Sequence, residues 1–247
     1  MTRLPHALVL SALCGIAPVA TAAERVFEVE RFDRLSVEGA DPVIVTRGEP
    51  ISVRADGPED ALGRLDVRSV DGTLIVRRTT GGQDGQDGQD GQDGQDGQPG
   101  TGGAAGASAV VRVTVPTLRS ASASGSGRLE IRNVAGPRFE ASASGSGSLA
   151  VEDLAVDVVR FVLTGAGGLR ATGRADGAEL EADGSGDADL GGLRLGRLGA
   201  RVGGSGDVTA RVTGVADVTT TGSGSVAVSG GAECRARATG SGRIDCD

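Results

Sequence analysis

The chain has 247 residues and a formal net charge of -8, with 43 Gly, four Phe and no Trp or Tyr. A core built on large aromatic side chains is therefore excluded, and Val, Leu, Ile and Ala must fill a narrow interior. The sequence contains no Lys, so its 25 basic residues are all Arg, and 33 acidic residues outnumber them. Because an acidic chain repels phosphate backbones, we expect no nucleic acid partner.

Residues 1–22 have the features of a secretory signal peptide. Arg3 supplies a positive charge, and an apolar run follows over residues 7–20. That run is shorter than the roughly 20 residues needed to span a bilayer, which argues against the alternative of a membrane anchor. The small residues Ala20 and Ala22 predict cleavage after Ala22. We therefore expect an exported protein in the periplasm, on the cell surface or outside the cell, with no membrane span after cleavage.

Cleavage of this peptide would have chemical consequences. It would remove Cys14 and His6, the only histidine in the chain. Catalysis by a histidine base and zinc sites with histidine ligands are then excluded, and we expect no catalytic residue and no cofactor. The remaining cysteines, Cys234 and Cys246, flank Gly240 at equal distances. In an oxidising compartment this pair is predicted to form a disulfide rather than a metal site.

Residues 23–80 show short segments in which apolar and polar side chains alternate, separated by turn residues. This pattern predicts strands at 25–29, 34–38, 42–46, 51–55, 65–68 and 73–77. Residues 58–63 are expected to form one helical turn before the strand that begins at Leu65. We expect this N-terminal β part to cap one end of the molecule.

Residues 81–108 form a low-complexity segment with five consecutive Gln-Asp-Gly triplets from Gln83 to Gly97. Such a segment cannot bury apolar surface, and a solvated, acidic, flexible loop insertion is predicted. Glycine recurs at every third position, but a collagen helix is disfavoured because the tract is short and has one Pro. The aspartate spacing is not that of a calcium-binding loop either.

Residues 109–247 contain the main repeat of the chain. Gly-Ser-Gly or Gly-Ala-Gly recurs in steps of 18 to 20 residues, beginning at Gly125, Gly145, Gly165, Gly184, Gly204, Gly222 and Gly240. Each triplet lies between two strand-like segments, so one period is interpreted as one coil of a solenoid. The predicted fold class is all-β, a right-handed parallel β-helix or solenoid with coils of about 18–20 residues.

The composition of the triplets has a physical explanation. A coil that reverses over two or three residues needs positive φ angles, which only glycine adopts at low cost. The serines of successive corners are expected to lie above one another and to share hydroxyl hydrogen bonds. Between corners, Val208, Ala210 and Val212 are predicted to point inward, while Thr209 and Arg211 point outward.

The densest group of carboxylates surrounds two of these corners, at Asp183, Asp187, Asp189 and Asp207. Stacking is expected to bring Asp187 and Asp207 about 5 Å apart in adjacent coils, where they are candidates to hold a metal ion or to act as an acid/base pair. The alternative, a solvated acidic patch, is favoured because the surface of a β-helix must be polar.

Five segments of the mature chain follow one another in a particular order. They are Phe-Asp-Arg-Leu-Ser-Val-Glu-Gly at 32–39, Val-Ile-Val-Thr-Arg-Gly at 43–48, Asp-Gly-Thr-Leu-Ile-Val at 71–76, Val-Arg-Val-Thr-Val-Pro-Thr-Leu at 111–118 and Ser-Ala-Ser-Gly-Ser-Gly at 122–127. In this order they resemble the head GIN domain family of exported, adhesin-like bacterial proteins. The resemblance implies a β-helical envelope protein with one continuous domain over residues 24–247, into which this chain inserts the Gln-Asp-Gly tract.

These features together predict an exported, non-catalytic cell-envelope β-solenoid that acts as a binding, adhesin-like or structural module. Its expected partner is an envelope or extracellular glycan or protein, with self-association as another outcome. The alternative is a β-helical polysaccharide lyase or hydrolase that uses the carboxylate cluster. Sugar sites commonly stack rings on Trp or Tyr, which this chain lacks. The scattered Arg128, Arg170 and Arg243 are interpreted as solubilising residues.

Overall fold

The computed structural model describes residues 23–79 and 108–247. The predicted signal peptide and the Gln-Asp-Gly triplets lie outside the described residues. The N-terminal part forms β1 (Ala23–Phe27), β2 (Arg34–Gly39), β3 (Val43–Arg47), β4 (Ser52–Gly57), α1 (Glu59–Gly63), β5 (Leu65–Val70) and β6 (Thr73–Arg78). These elements agree within a few residues with the strands and the helical turn predicted from the alternation of apolar and polar side chains.

The second part is built from strands that follow each other without helices. They are β7 (Val110–Val115), β8 (Ser120–Gly125), β9 (Arg128–Arg132), β10 (Ala135–Gly145), β11 (Ser148–Gly165), β12 (Gly168–Gly184), β13 (Ala188–Gly204), β14 (Val208–Gly222), β15 (Ser225–Ser229), β16 (Glu233–Gly240) and β17 (Arg243–Cys246). The strands β11 to β14 each run through nearly a whole coil, from one corner to the next.

Strand pairing confirms the predicted parallel solenoid. On one side of the corners, β2, β8, β10, β11, β12, β13, β14 and β16 pair in parallel in that order. On the other side, β3, β9, β11, β12, β13, β14, β15 and β17 do the same. Both series pass through the same coils, and the stack has about six turns.

Each coil bends between straight segments, and β11 shows where. Its inward, buried residues are Leu149 and Val151, then Leu154 and Val156, then Val159, Phe161 and Leu163. Within each set the buried residues alternate with more exposed ones, as in an ordinary strand. Between the sets the alternation shifts by one residue, so a coil has three straight segments joined by two bends and the glycine corner.

The interior is slim and mostly aliphatic, as the composition predicts. Val208, Ala210 and Val212 are buried, whereas Thr209 and Arg211 are exposed, as expected. Phe139 and Phe161 are the two large aromatic side chains that are fully buried in the coils. The core therefore runs as a continuous rod along the stack axis rather than as a central cluster.

The N-terminal end departs from this regularity. There β4 pairs antiparallel with both β1 and β7, and β5 pairs antiparallel with β6. Helix α1 buries Ala61 and Leu62 at this end. Because antiparallel strands and a helix cover the first coil, its apolar face is shielded from water, which is what the end of a solenoid requires.

A buried ion pair connects the two chain segments at this end, one just before and one just after the Gln-Asp-Gly segment. Asp41 is 4% exposed and accepts hydrogen bonds from the Arg78 guanidinium and from the backbone N–H of Ala109. Arg78 ends β6, and Ala109 precedes β7. The hydrogen bond with Asp41 raises the pKa of Arg78 above its usual range, although burial acts in the opposite direction. One carboxylate thus joins the two flanks of the Gln-Asp-Gly segment.

The last described coil is closed by the Cys234–Cys246 disulfide, whose Cα atoms lie 6.5 Å apart. Cys234 pairs in register with the buried Ala216, and Cys246 with the buried Val228. Both cysteines therefore occupy inward positions of the coil. The bridge crosses the space that aliphatic side chains fill in the preceding coils.

Candidate functional site

The glycine corners form a single column along the stack. The seven predicted glycines pair in register, and Gly39 continues the column below Gly125. All eight adopt positive φ, between 92° and 125°. Sequence spacing alone missed Gly39, because the excursion through β4 to β7 separates it from the other corners.

A second glycine column explains why each corner carries two glycines. A Cβ atom at Gly147, Gly186 or Gly206 would lie less than 3.0 Å from a carbonyl oxygen of the coil below, closer than real Cβ atoms come. This close approach allows backbone N–H groups of one corner to donate hydrogen bonds to the corner below, such as Ser146 N–H to Gly125 O at 3.0 Å and Ser205 N–H to Gly184 O at 2.8 Å. The glycines of the corners therefore serve the close stacking of the coils.

The predicted ladder of corner serine hydroxyls is wrong. In the described part of the chain the corner serines are exposed, and no hydrogen bond joins their hydroxyls to one another or to the rest of the protein. The corner carbonyl oxygens already accept backbone N–H groups, so the serine side chains project into solvent. Hydroxyl bonds between coils come instead from strand positions, as in Ser122 Oγ to Leu35 O at 3.3 Å and Ser229 Oγ to Ala210 O at 3.3 Å.

Asp187 and Asp207 occupy equivalent positions in adjacent coils, directly after their corners. Oδ1 of Asp187 accepts the backbone N–H of Asp207 at 2.9 Å, and Oδ1 of Asp207 accepts the N–H of Ser225 at 3.0 Å. Each carboxylate thus ties its coil to the next one. Among the described residues, no group of three or more His, Cys, Asp or Glu side chains is arranged to hold a metal ion. The arrangement favours a structural role.

Asp189 is the most highly bonded carboxylate of this cluster. Its oxygens accept the N–H of Gly191 at 3.0 Å, the hydroxyl of Thr209 at 3.1 Å and the guanidinium of Arg170 at 2.6 Å. Burial alone would raise the pKa of Asp189, but these three donors outweigh it and lower the pKa below the ordinary value. A carboxylate held ionised in this way is a poor general acid.

An open concavity of about 650 Å³ lies near the N-terminal end of the stack. Its walls include the segment from Thr117 to Ser120 and the first residues of β10, with Pro137 and Arg138. Within it, Arg119 forms an ion pair with Asp33 at 3.0 Å. Polar and apolar groups both line this concavity, and two of its three arginines, Arg34 and Arg119, pair with the same Asp33 carboxylate.

The structure also brings together three arginines that sequence reasoning missed. Arg174 pairs in register with Arg194, and Arg194 pairs with Arg211, so the three occupy one position on three successive coils. All three side chains are exposed. We call them the arginine column. They lie 20 and 17 residues apart, because register shifts in β13 and β14 alter the local period. That irregularity hid the column from a search for constant spacing.

Comparison with known proteins identifies the family. A family model described as "Putative auto-transporter adhesin, head GIN domain" matches residues 31–232. The chain belongs to this family. The match covers most of the chain, including the N-terminal strands and the repeats, and confirms the resemblance seen in the sequence. A search of curated proteins found no match to this head GIN domain.

Solved structures share the fold of this head GIN domain. A protein from Bacteroides fragilis described as a "putative adhesin" superposes with a TM-score of 0.78 at 21% identity, covering 94% of this chain and 100% of the other. A "putative lipid binding protein" from Parabacteroides distasonis has a TM-score of 0.70 at 18% identity, with 92% and 96% coverage. A "putative adhesin" from Parabacteroides merdae gives 0.65 at 14% identity, with 92% and 96% coverage. At these identities the likeness establishes the fold alone.

The described ranges, 23–79 and 108–247, contain no helix with the length and apolar character needed to cross a membrane. The one helix in them, α1, has five residues.

Proposed function

We propose that this head GIN domain is an exported, non-catalytic binding module of the cell envelope, acting in an adhesin-like way on extracellular or envelope material. The observation that carries the proposal is the family match over residues 31–232, to a family described as adhesin head domains. Export is supported by the signal-like sequence of residues 1–22.

The surface chemistry supports binding rather than catalysis. The carboxylates that were candidates for acid/base work, Asp187 and Asp207, accept backbone hydrogen bonds from the next coil. Asp189 is held ionised by three donors. The stack instead repeats outward side chains at the spacing between strands, about 4.8 Å. Such columns suit a partner that is itself extended and repetitive, because each unit can meet the same group on successive coils.

The test is a binding panel with the mature chain, residues 23–247. Fluorescently labelled protein is incubated with intact cells, envelope fractions, immobilised glycans and immobilised copies of itself. We expect saturable retention on at least one of these, and none with chain that has first been heat-unfolded. Retention on no member of the panel would contradict a binding role. Release of sugar fragments from a retained glycan would contradict the non-catalytic part and favour the lyase or hydrolase alternative.

A further inference from the structure

Among the described residues the arginine column has no countercharge, and it differs from other unpaired arginines, such as Arg128 and Arg138, because its three members share one register position on successive coils. In the residues that the structure describes, no carboxylate oxygen lies within the 4.0 Å salt-bridge distance of Arg174, Arg194 or Arg211. By contrast, Arg170 in the same region pairs with Asp189 at 2.6 Å, and Arg160 one coil earlier pairs with Glu181 at 3.1 Å. Thus a chain with a surplus of acidic residues leaves three cations unneutralised in one line.

Stacking like charges has a cost that the fold does not require. Side chains at one register position on neighbouring strands are about 4.8 Å apart at their base, and like charges placed directly opposite one another destabilise a sheet. The same column carries Ala155 below Arg174 and Ser229 above Arg211, so neutral residues fit this position. The repulsion is removed when an anion lies across the three guanidinium groups.

Two glycines stack on one another beside the column. Gly196 lies two residues after Arg194 and packs on the backbone of Asp176, while Gly214 lies three residues after Arg211 and packs on the backbone of Gly196. These glycines are imposed by close packing, since a Cβ at Gly196 would lie 2.8 Å from the carbonyl oxygen of Asp176. The coils therefore stack closely beside the two upper arginines, where the backbone carries no side chain at Gly196 and Gly214.

We propose that the arginine column binds a linear polysaccharide that carries carboxylates on successive sugars, laid along the axis of the stack. The proposal rests on the binding role proposed above and names the ligand class for it. Guanidinium forks pair with carboxylates through two parallel hydrogen bonds, which suits Arg better than Lys. One sugar of an extended chain is close in length to the strand spacing, so successive carboxylates can meet successive coils.

Charge spacing favours this polymer over a nucleic acid. Each strand of duplex DNA presents a phosphate about every 3.4 Å, whereas the coils repeat about every 4.8 Å. The net charge of -8 also opposes a dense polyphosphate. A polysaccharide with one carboxylate per sugar presents about one charge to each coil that it crosses.

The experiment measures the affinity of the full mature chain for polygalacturonate by isothermal titration calorimetry, with neutral dextran and duplex DNA as comparison polymers. The triple variant R174Q/R194Q/R211Q removes the column. The matched control, R128Q/R138Q/R243Q, removes three exposed arginines that lie at other register positions and, in the described residues, have no ion pair.

We expect polygalacturonate to bind, dextran not to bind, and DNA to bind more weakly than polygalacturonate. The column variant should lose about tenfold in affinity, with a salt dependence shallower by about 2 in log–log slope, and the control should change by less than about twofold. Equal losses in both variants, stronger binding to DNA, or no binding of polygalacturonate at low salt would each overturn the proposal.

Failure of this proposal is distinguishable from failure of the proposed function. If the column variant binds cells or envelope fractions as well as the unmodified chain does, the binding role stands and the arginine column is not its site.

Discussion

Neighbouring strands are held together differently at the N-terminal end and in the regular coils β12 to β14. At the N-terminal end, side chains hold irregular elements together: Asp41 bonds Arg78 and the backbone of Ala109, Arg77 pairs with Asp66, and Arg119 pairs with Asp33. In β12 to β14 parallel backbone ladders and paired glycine corners make most of these connections, and carboxylates such as Asp187 and Asp207 add bonds between coils. The outward side chains that make no such bonds are free for binding.

The largest expected loss of stability comes from disturbing the close backbone packing of the regular coils at a glycine corner. In β13, Gly204 has φ of 92°, and a Cβ there would overlap the Gly184 carbonyl oxygen. Gly204→Ala should therefore lower the free energy of unfolding by about 3 kcal/mol or more. The control in the same strand is Gly199→Ala, whose Cβ would meet nothing within 4 Å. Chemical denaturation of both variants measures the contrast, and similar losses would contradict the role of the corners.

Removal of the disulfide is expected to have the next largest effect on stability, and that effect should be confined to the last described coil. Replacing both Cys234 and Cys246 by Ala removes a link that closes a short loop, worth about 3 kcal/mol in the chain-entropy view. Hydrogen exchange followed by mass spectrometry should show faster exchange in β16 and β17, with β12 to β14 unchanged. Unaltered exchange in β16 and β17 would mean that strand pairing alone holds the last coil.

Because side chains hold the N-terminal end together, Asp41→Asn should lower the free energy of unfolding by about 2 kcal/mol. This change leaves Arg78 without its charge partner in a mostly buried place. The matched control is Asp60→Asn, which breaks the exposed Asp60–Arg64 pair and should cost less than about 0.5 kcal/mol. Thermal unfolding of the two variants compares them. Equal melting temperatures would show that the buried pair contributes no more than a surface one.

The smallest expected effect is the contribution of Asp189 to the pH dependence of folding stability. Because the pKa of Asp189 is lowered, its ionised form stabilises the folded chain above the ordinary carboxyl pKa of about 3.9, and this contribution disappears as the pH falls through and below that value. The side chain is 42% exposed, so solvent screening keeps the contribution below about 1 kcal/mol.

Asp189→Asn should therefore be slightly less stable than the unmodified chain near pH 7, with the gap closing near pH 3. Paired denaturation curves at the two pH values measure it. A gap that widens at low pH would have the wrong sign for a lowered pKa.

Much of the fold was predictable because it follows from local rules. The glycine triplets marked the corners, and alternation marked the inward faces, as at Val208, Ala210 and Val212. What could not be predicted depends on register. Gly39 joined the corner column only after the excursion through β4 to β7 was placed, and the serine hydroxyls were misassigned because backbone N–H groups already occupy the corner carbonyls.

The candidate site was less predictable than the fold. The carboxylates Asp187 and Asp207 were correctly expected at equivalent positions, but nothing in their spacing shows that their oxygens bond the backbone of the next coil. The arginine column was hidden because irregular register between Leu190 and Arg194 and between Leu195 and Arg197 changes the distance along the chain. Bulges of this kind are set by packing, which sequence periodicity does not report.

The most direct test of a binding surface on the regular coils is NMR of the arginine side chains. The Nε–H signals of the mature chain are assigned by single Arg→Gln variants and followed while polygalacturonate is added. We predict saturable shifts of the Arg174, Arg194 and Arg211 signals at one common affinity, with the Arg128 and Arg138 signals unmoved. Shifts spread evenly over all arginines, or confined to Arg138 beside the N-terminal concavity, would contradict the account.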